Sequence, residues 1–162
     1  MRNSKRFLFS GLMVMVICGL GLVSANAQTA KARAAANAPG EVLQQPLYTD
    51  YKGVRLGMTA QEVRSTLGSP TLKGDDQDYF TISDHETAQV GYDAAHKVTT
   101  ISIDYAGGAG APDHKAVVGG ELEPQPTGSL YRVVRYESLG FWVSYSRTTG
   151  SVLIVTITIQ KM

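Results

Sequence analysis

Three histidines, His85, His96 and His114, and the acidic run Asp75-Asp76-Gln77-Asp78 are the residues whose chemistry first suggests a metal. The spacing argues against one. His85 and His96 fall in successive turns of a predicted meander, at opposite ends of the strand Thr87–Tyr92. At about 3.3 Å per residue that strand separates them by roughly 20 Å, too far to share an ion. His114 falls in a predicted linker, and all three are expected as surface histidines. The acidic run lacks the central glycine and closing glutamate of a calcium loop, and reads as a solvated turn before a strand. Ser, Thr and His are all present, but there is no G-x-S-x-G elbow or other nucleophile signature. Ala106-Gly-Gly-Ala-Gly-Ala-Pro112 has three glycines without either phosphate-cradling spacing, and reads as a linker. The sequence therefore assigns no catalytic, cofactor-binding or metal residue and implies no cofactor.

The remaining feature is aromatic. In Gly140-Phe-Trp-Val-Ser-Tyr145 strand alternation puts Phe141, Val143 and Tyr145 on one face and Trp142 on the other. If Val143 and Tyr145 face the core, Trp142 points away from it. A tryptophan there is a candidate contact for a protein partner, because Trp is enriched at binding hot spots. The alternative is that the connecting loop 106–128 folds over the indole.

Composition narrows the setting. Arg2, Lys5 and Arg6 precede an apolar run from Phe7 to Val23, and Ser24-Ala-Asn-Ala27 supplies a small-residue cleavage site. These are the three parts of a secretory signal peptide over 1–27. They predict a periplasmic or secreted protein with no transmembrane segment after cleavage. Cys18, the sole cysteine, lies mid-run behind the branched Ile17 and reads as apolar filler of the signal rather than a lipidation site. Three of the 15 Lys+Arg lie in the signal, which leaves 12 against 14 acids. This near-neutral balance, without a basic stripe, disfavours nucleic acid and anionic membrane surfaces as partners.

The elements that would position these residues follow from pattern. The Ala-rich stretch 28–46 has too little apolar surface to offset its ordering entropy and reads as a tether. The folded region is expected over 47–162. Thr59-Ala60-Gln61-Glu62 is a capping box opening a helix Ala60–Leu67, with Gly68 as its left-handed end and Pro70 preventing continuation. Strands are predicted over 78–83, 87–92 and 98–105, then over 130–136, 141–146 and 152–160, each set pairing as an antiparallel meander. The fold class is α+β: a short helix packed on antiparallel meander strands. The two sets align with each other. Tyr79-Phe-Thr-Ile matches Tyr131-Arg-Val-Val, Gln89-Val-Gly-Tyr92 matches Trp142-Val-Ser-Tyr145, and Ile101-Ser-Ile103 matches Ile157-Thr-Ile159. The expectation is a duplicated helix-plus-three-strand unit, with half-repeats over about 51–105 and 112–160.

The segment Gly53-Val-Arg-Leu-Gly-Met-Thr-Ala-Gln-Glu-Val-Arg-Ser-Thr-Leu-Gly-Ser-Pro70, followed by Val90-Gly-Tyr-Asp-Ala-Ala-His-Lys-Val-Thr-Thr-Ile101, resembles the SmpA/OmlA (BamE-like) family. That family carries a G-M-T-x-x-x-V…L-G-x-P helix before strands ending in F-D…G-K-V. Its members are small outer-membrane-associated lipoproteins of the β-barrel assembly machinery, and the tandem layout is similar to that of β-lactamase inhibitor protein. The resemblance implies a non-enzymatic protein-binding or scaffold module of the bacterial cell envelope. Its tandem form implies, as the alternative, an inhibitor-type protein acting on an extracellular enzyme.

Overall fold

Alternating apolar residues in six of the segments drive them into one sheet, and the sheet's polar/apolar division sets everything else. The computed structural model describes residues 45–162. The signal read over 1–27, Cys18 and most of the tether read over 28–46 lie outside the described residues. The elements are α1 (Ala60–Leu67), β1 (Leu72–Lys73), β2 (Gln77–Thr81), β3 (Glu86–Tyr92), β4 (Val98–Ala106), α2 (His114–Val118), β5 (Leu130–Tyr136), β6 (Phe141–Arg147) and β7 (Ile154–Lys161). All seven strands join one antiparallel sheet in the order β1-β2-β3-β4-β7-β6-β5. The architecture is α+β, as expected, and both predicted meanders pair as expected.

Helix α1 keeps its predicted bounds because its capping box forms. The Thr59 hydroxyl accepts from the Glu62 N–H at 3.2 Å, and the Glu62 carboxylate accepts from the Thr59 N–H at 2.7 Å. These bonds satisfy donors that a helix start leaves open. Gly68 ends the helix at φ 89°, ψ −165°, a positive-φ extended conformation rather than the left-handed helical one the sequence suggested. Pro70 follows directly.

Three departures from expectation exceed one residue. A two-residue strand, β1, was not anticipated; it pairs with β2 through Leu72–Tyr79 and Lys73–Asp78. Ile82 and Ser83 leave β2 because both N–H groups donate to the Glu86 carbonyl, closing a turn. Val152 and Leu153 precede β7 instead of opening it. There the Thr148 hydroxyl binds the Val152 and Ile154 carbonyls and accepts from the Ile154 N–H at 2.8 Å, so the turn outcompetes the ladder.

The core lies on one face of the sheet. Phe80, Ala88, Ile103, Ile157 and Tyr145 form one buried row across the strands; Val90, Ile101, Ile159, Val143 and Val134 form the next. Val63 of α1, Tyr51 and Val54 of the preceding segment, and Val117 and Val118 of α2 cap this face. At about 25 cal/mol per Å² of apolar surface removed from water, this layer is the main stabilising term.

Candidate functional site

The opposite face of the sheet carries Trp142. The strand register fixes its neighbours: Arg135 on β5 and Gln160 on β7. Three lateral rows run across this face. One is Leu72, Tyr79, Gln89, Ser102, Thr158, Ser144 and Val133. A second is Gln77, Gly91, Thr100, Gln160, Trp142 and Arg135. The third is Thr81, Thr87, Asp104, Thr156, Ser146 and Tyr131. Hydroxyls and amides dominate, with Asp104 and Arg135 the only charges in these rows.

Trp142 is half-buried among this carpet. Of the two fates open to it, cover by α2 in the 106–128 loop is not what the fold provides. Val117 and Val118 join the core cluster, and the His114 ring stacks obliquely on Tyr145 at 5.9 Å, so α2 lies on the core face. Tyr131 is 56% exposed and Leu72 68% exposed. Near Leu72 the face dips into a depression of about 370 Å³ lined with Tyr79, Gln77 and Gln89. Several polar groups bind one another: Gln89 Nε2 donates to Gln77 Oε1 at 2.7 Å, Thr156 to Asp104 at 2.6 Å, and Ser102 lies 3.2 Å from Thr158. These mutual bonds hold rotamers in place and lower the entropic cost of engaging a partner.

The histidines do not gather. His85 and His96 sit exposed in separate turns. His114 corrects the sequence reading: it opens α2 and its side chain is 17% exposed, because the helix packs on β6. Its Nε2 is buried without a hydrogen-bond partner, 3.8 Å from Glu121, while Nδ1 lies 3.7 Å from Asp113. Among the described residues no three His, Cys, Asp or Glu side chains converge on a common point, and no helix is long and apolar enough to cross a membrane.

Comparison with family models, curated proteins and solved structures gave no match.

Two polar clusters on the core side escaped the sequence reading. Asp78, taken as part of a solvated turn, is fully buried. Arg64 of α1 donates to it twice, at 2.8 and 3.0 Å, and the Tyr92 hydroxyl donates at 2.8 Å. Burial pushes the Asp78 carboxyl up, but the Arg64 and Tyr92 bonds outweigh it and hold the carboxyl below its ordinary value. The signal was available: Asp78 shares strand parity with Phe80, so it had to face the core. The second cluster is centred on Glu86, which accepts from the Tyr51 hydroxyl at 2.8 Å and pairs with Lys52 at 3.4 Å. Burial and that bond push the Tyr51 hydroxyl pKa well up. Both clusters are self-satisfied and join helix or N-terminal segment to sheet. Neither presents a free nucleophile.

Proposed function

We propose that the protein is an exported, non-enzymatic protein-binding module of the bacterial cell envelope that engages its partner through the open sheet face around Trp142. The observation that carries this reading is a seven-stranded face that no helix among the described residues covers, lined with paired hydroxyls and amides and studded with Trp142, Tyr79 and Tyr131. Rigid aromatics in a polar surround suit protein recognition, because they can be desolvated at little entropic cost. The export signal and the resemblance of Gly53–Pro70 to the SmpA/OmlA (BamE-like) family support the compartment and the class.

The proposal includes a duplicated unit. The sheet order sets β2-β3-β4 beside β7-β6-β5, joined at their third strands. The sequence repeat equates Ile101 with Ile157 and Ile103 with Ile159. Register pairs Ile101 with Ile159 and Ile103 with Ile157, the relation a local two-fold between copies would produce. The same register equates Thr87, not Gln89, with Trp142, a two-residue slip that leaves each residue's face unchanged.

The test is crosslinking and capture from envelope extract with wild-type protein and Trp142→Ala. A specific partner should be retained by the wild type and bound about 30-fold more weakly by the variant, the effect of losing a hot-spot anchor of about 2 kcal/mol. Barrel-assembly components as the partner would support the envelope-scaffold reading; a hydrolase inhibited on binding would replace it with the inhibitor-type one. Turnover in a broad substrate screen, or equal binding by both proteins, would refute the proposal.

A further inference from the structure

We infer that the protein holds a second site, a basic-rimmed apolar cleft that binds a small organic anion with an apolar tail. The cleft lies between the segment Arg55–Gly57 and the turn Glu137–Gly140, away from Trp142's face. Its volume is about 430 Å³, within the range of small-molecule sites. It arises where the two covers of the core face fail to meet. Tyr51, Val54 and α1 cover one half and α2 the other; between them Val98 and Ile159 lie beneath the cleft, already shielded from water by the side chains that wall it.

The walls are apolar and partly wet. Leu56 stands on one side; Leu139 and Phe141 stand on the other, with Met162 at the end of β7. Leu139 is 57% exposed and Met162 52%, large side chains that a monomer in water gains by covering. The turn is fixed in place. Gly140 adopts φ 72°, ψ 27°, a left-handed conformation that glycine accepts without steric cost, and its carbonyl accepts from the Met162 N–H at 2.8 Å.

Charge complementarity chooses the occupant. Arg55, Lys97 and Lys161 rim the cleft, and none of them makes an ion pair within 4.0 Å among the described residues. One side-chain carboxylate, Asp93, shares the rim. It is engaged by its own turn, accepting from the Ala95 and Lys97 N–H groups at 2.9 Å each. Glu62 lies within electrostatic reach of Lys97 and Lys161 within reach of Asp93, so the rim is net positive rather than uniformly so. A single-tailed carboxylate places its tail between the partly exposed Leu56, Leu139, Phe141 and Met162 and its head among the three cations.

Octanoate is the probe, titrated into the full chain by calorimetry and by amide chemical-shift mapping. Saturable binding is expected, with shifts centred on Gly57, Lys97, Gly140 and Lys161. Octanol should bind about tenfold more weakly, and octyltrimethylammonium more weakly still. The triple variant Arg55→Gln/Lys97→Gln/Lys161→Gln should lose about tenfold in octanoate affinity, from roughly twofold per exposed cation. All three positions are exposed, and an unchanged amide spectrum elsewhere certifies that the variant is folded. Equal affinity for octanoate and octanol, undiminished affinity in the triple variant, shifts centred on the Trp142 face, or no saturable binding would each overturn the inference.

Discussion

At the scale of single residues, the pairing of Arg64 with Asp78 is the interaction most sensitive to substitution. Removing one member of a buried pair leaves an uncompensated charge and costs about 3–5 kcal/mol. Arg64→Met should show a loss of this size in urea unfolding at neutral pH. The carboxyl is held below its ordinary value, so its contribution is complete above about pH 5 and is lost as pH falls through the folded value. Asp78→Asn should therefore flatten the acid limb of the stability profile, as well as lower the plateau. An unaltered acid limb would mean that other carboxylates set it. The Thr59 cap makes a smaller contribution. Thr59→Ala should cost about 1 kcal/mol, measured the same way, because it removes the hydroxyl that accepts from the Glu62 N–H and donates to the Glu62 carboxylate.

At the scale of elements, strand alternation decides which side chains are structural and which are free to act. Trp142 is half-buried on the face opposite the core rather than sealed within it. Trp142→Ala should cost about 1 kcal/mol of stability, the scale of cross-strand contacts. A fully buried aromatic would cost about 3–5 kcal/mol. A thermal melt distinguishes the two, and a loss in the larger range would return the indole to a structural role. The two edges of the sheet are unequal. Strand β1 is two residues long, whereas β5 runs for seven and carries the exposed Arg132 and Arg135, charges that discourage edge-to-edge association. The Arg132 guanidinium also donates to the Gly119 carbonyl at 2.7 Å, tying the edge to the end of α2.

At the scale of the whole molecule, the β4–β7 seam is decisive. Seven register pairs from Thr100–Gln160 to Ala106–Ile154 join strands that lie more than 45 residues apart in the chain. Closing so long a connection costs entropy before the contacts repay it, so folding should be slow for the chain's size. Amide exchange should be slowest in β4 and β7 and fastest in β1 and β5, following burial and position in the sheet. Ile103 and Ile157 are fully buried register partners across the seam. Ile103→Ala and Ile157→Ala should each cost about 2–5 kcal/mol. Their double-mutant cycle should show a coupling of at least about 0.5 kcal/mol, because each side chain fills space the other defines. Strict additivity would mean that the seam is not a shared core.

What the sequence determined by itself was local. The helix Ala60–Leu67 was legible because a capping box at one end and Gly68 and Pro70 at the other are short-range chemistry. Six of the seven strands were legible because period-2 alternation records which face is buried. Trp142's face was legible for the same reason. The positive-φ geometry of Gly68, the two residues of β1 and the late start of β7 were not, since turn hydrogen bonds such as those of Thr148 decide them. Tertiary structure alone decided that β4 meets β7, which no local signal encodes. It placed α2 on the core face, and with it His114. It brought Arg64 to Asp78 across 14 positions of sequence. Strand parity with Phe80 puts Asp78 inward, against its reading as part of a solvated turn, and what makes an inward carboxylate tolerable is a partner on another element. The cleft beside Leu139 is decided the same way: its walls come from segments distant in the chain, and its shape is the space their packing leaves unfilled.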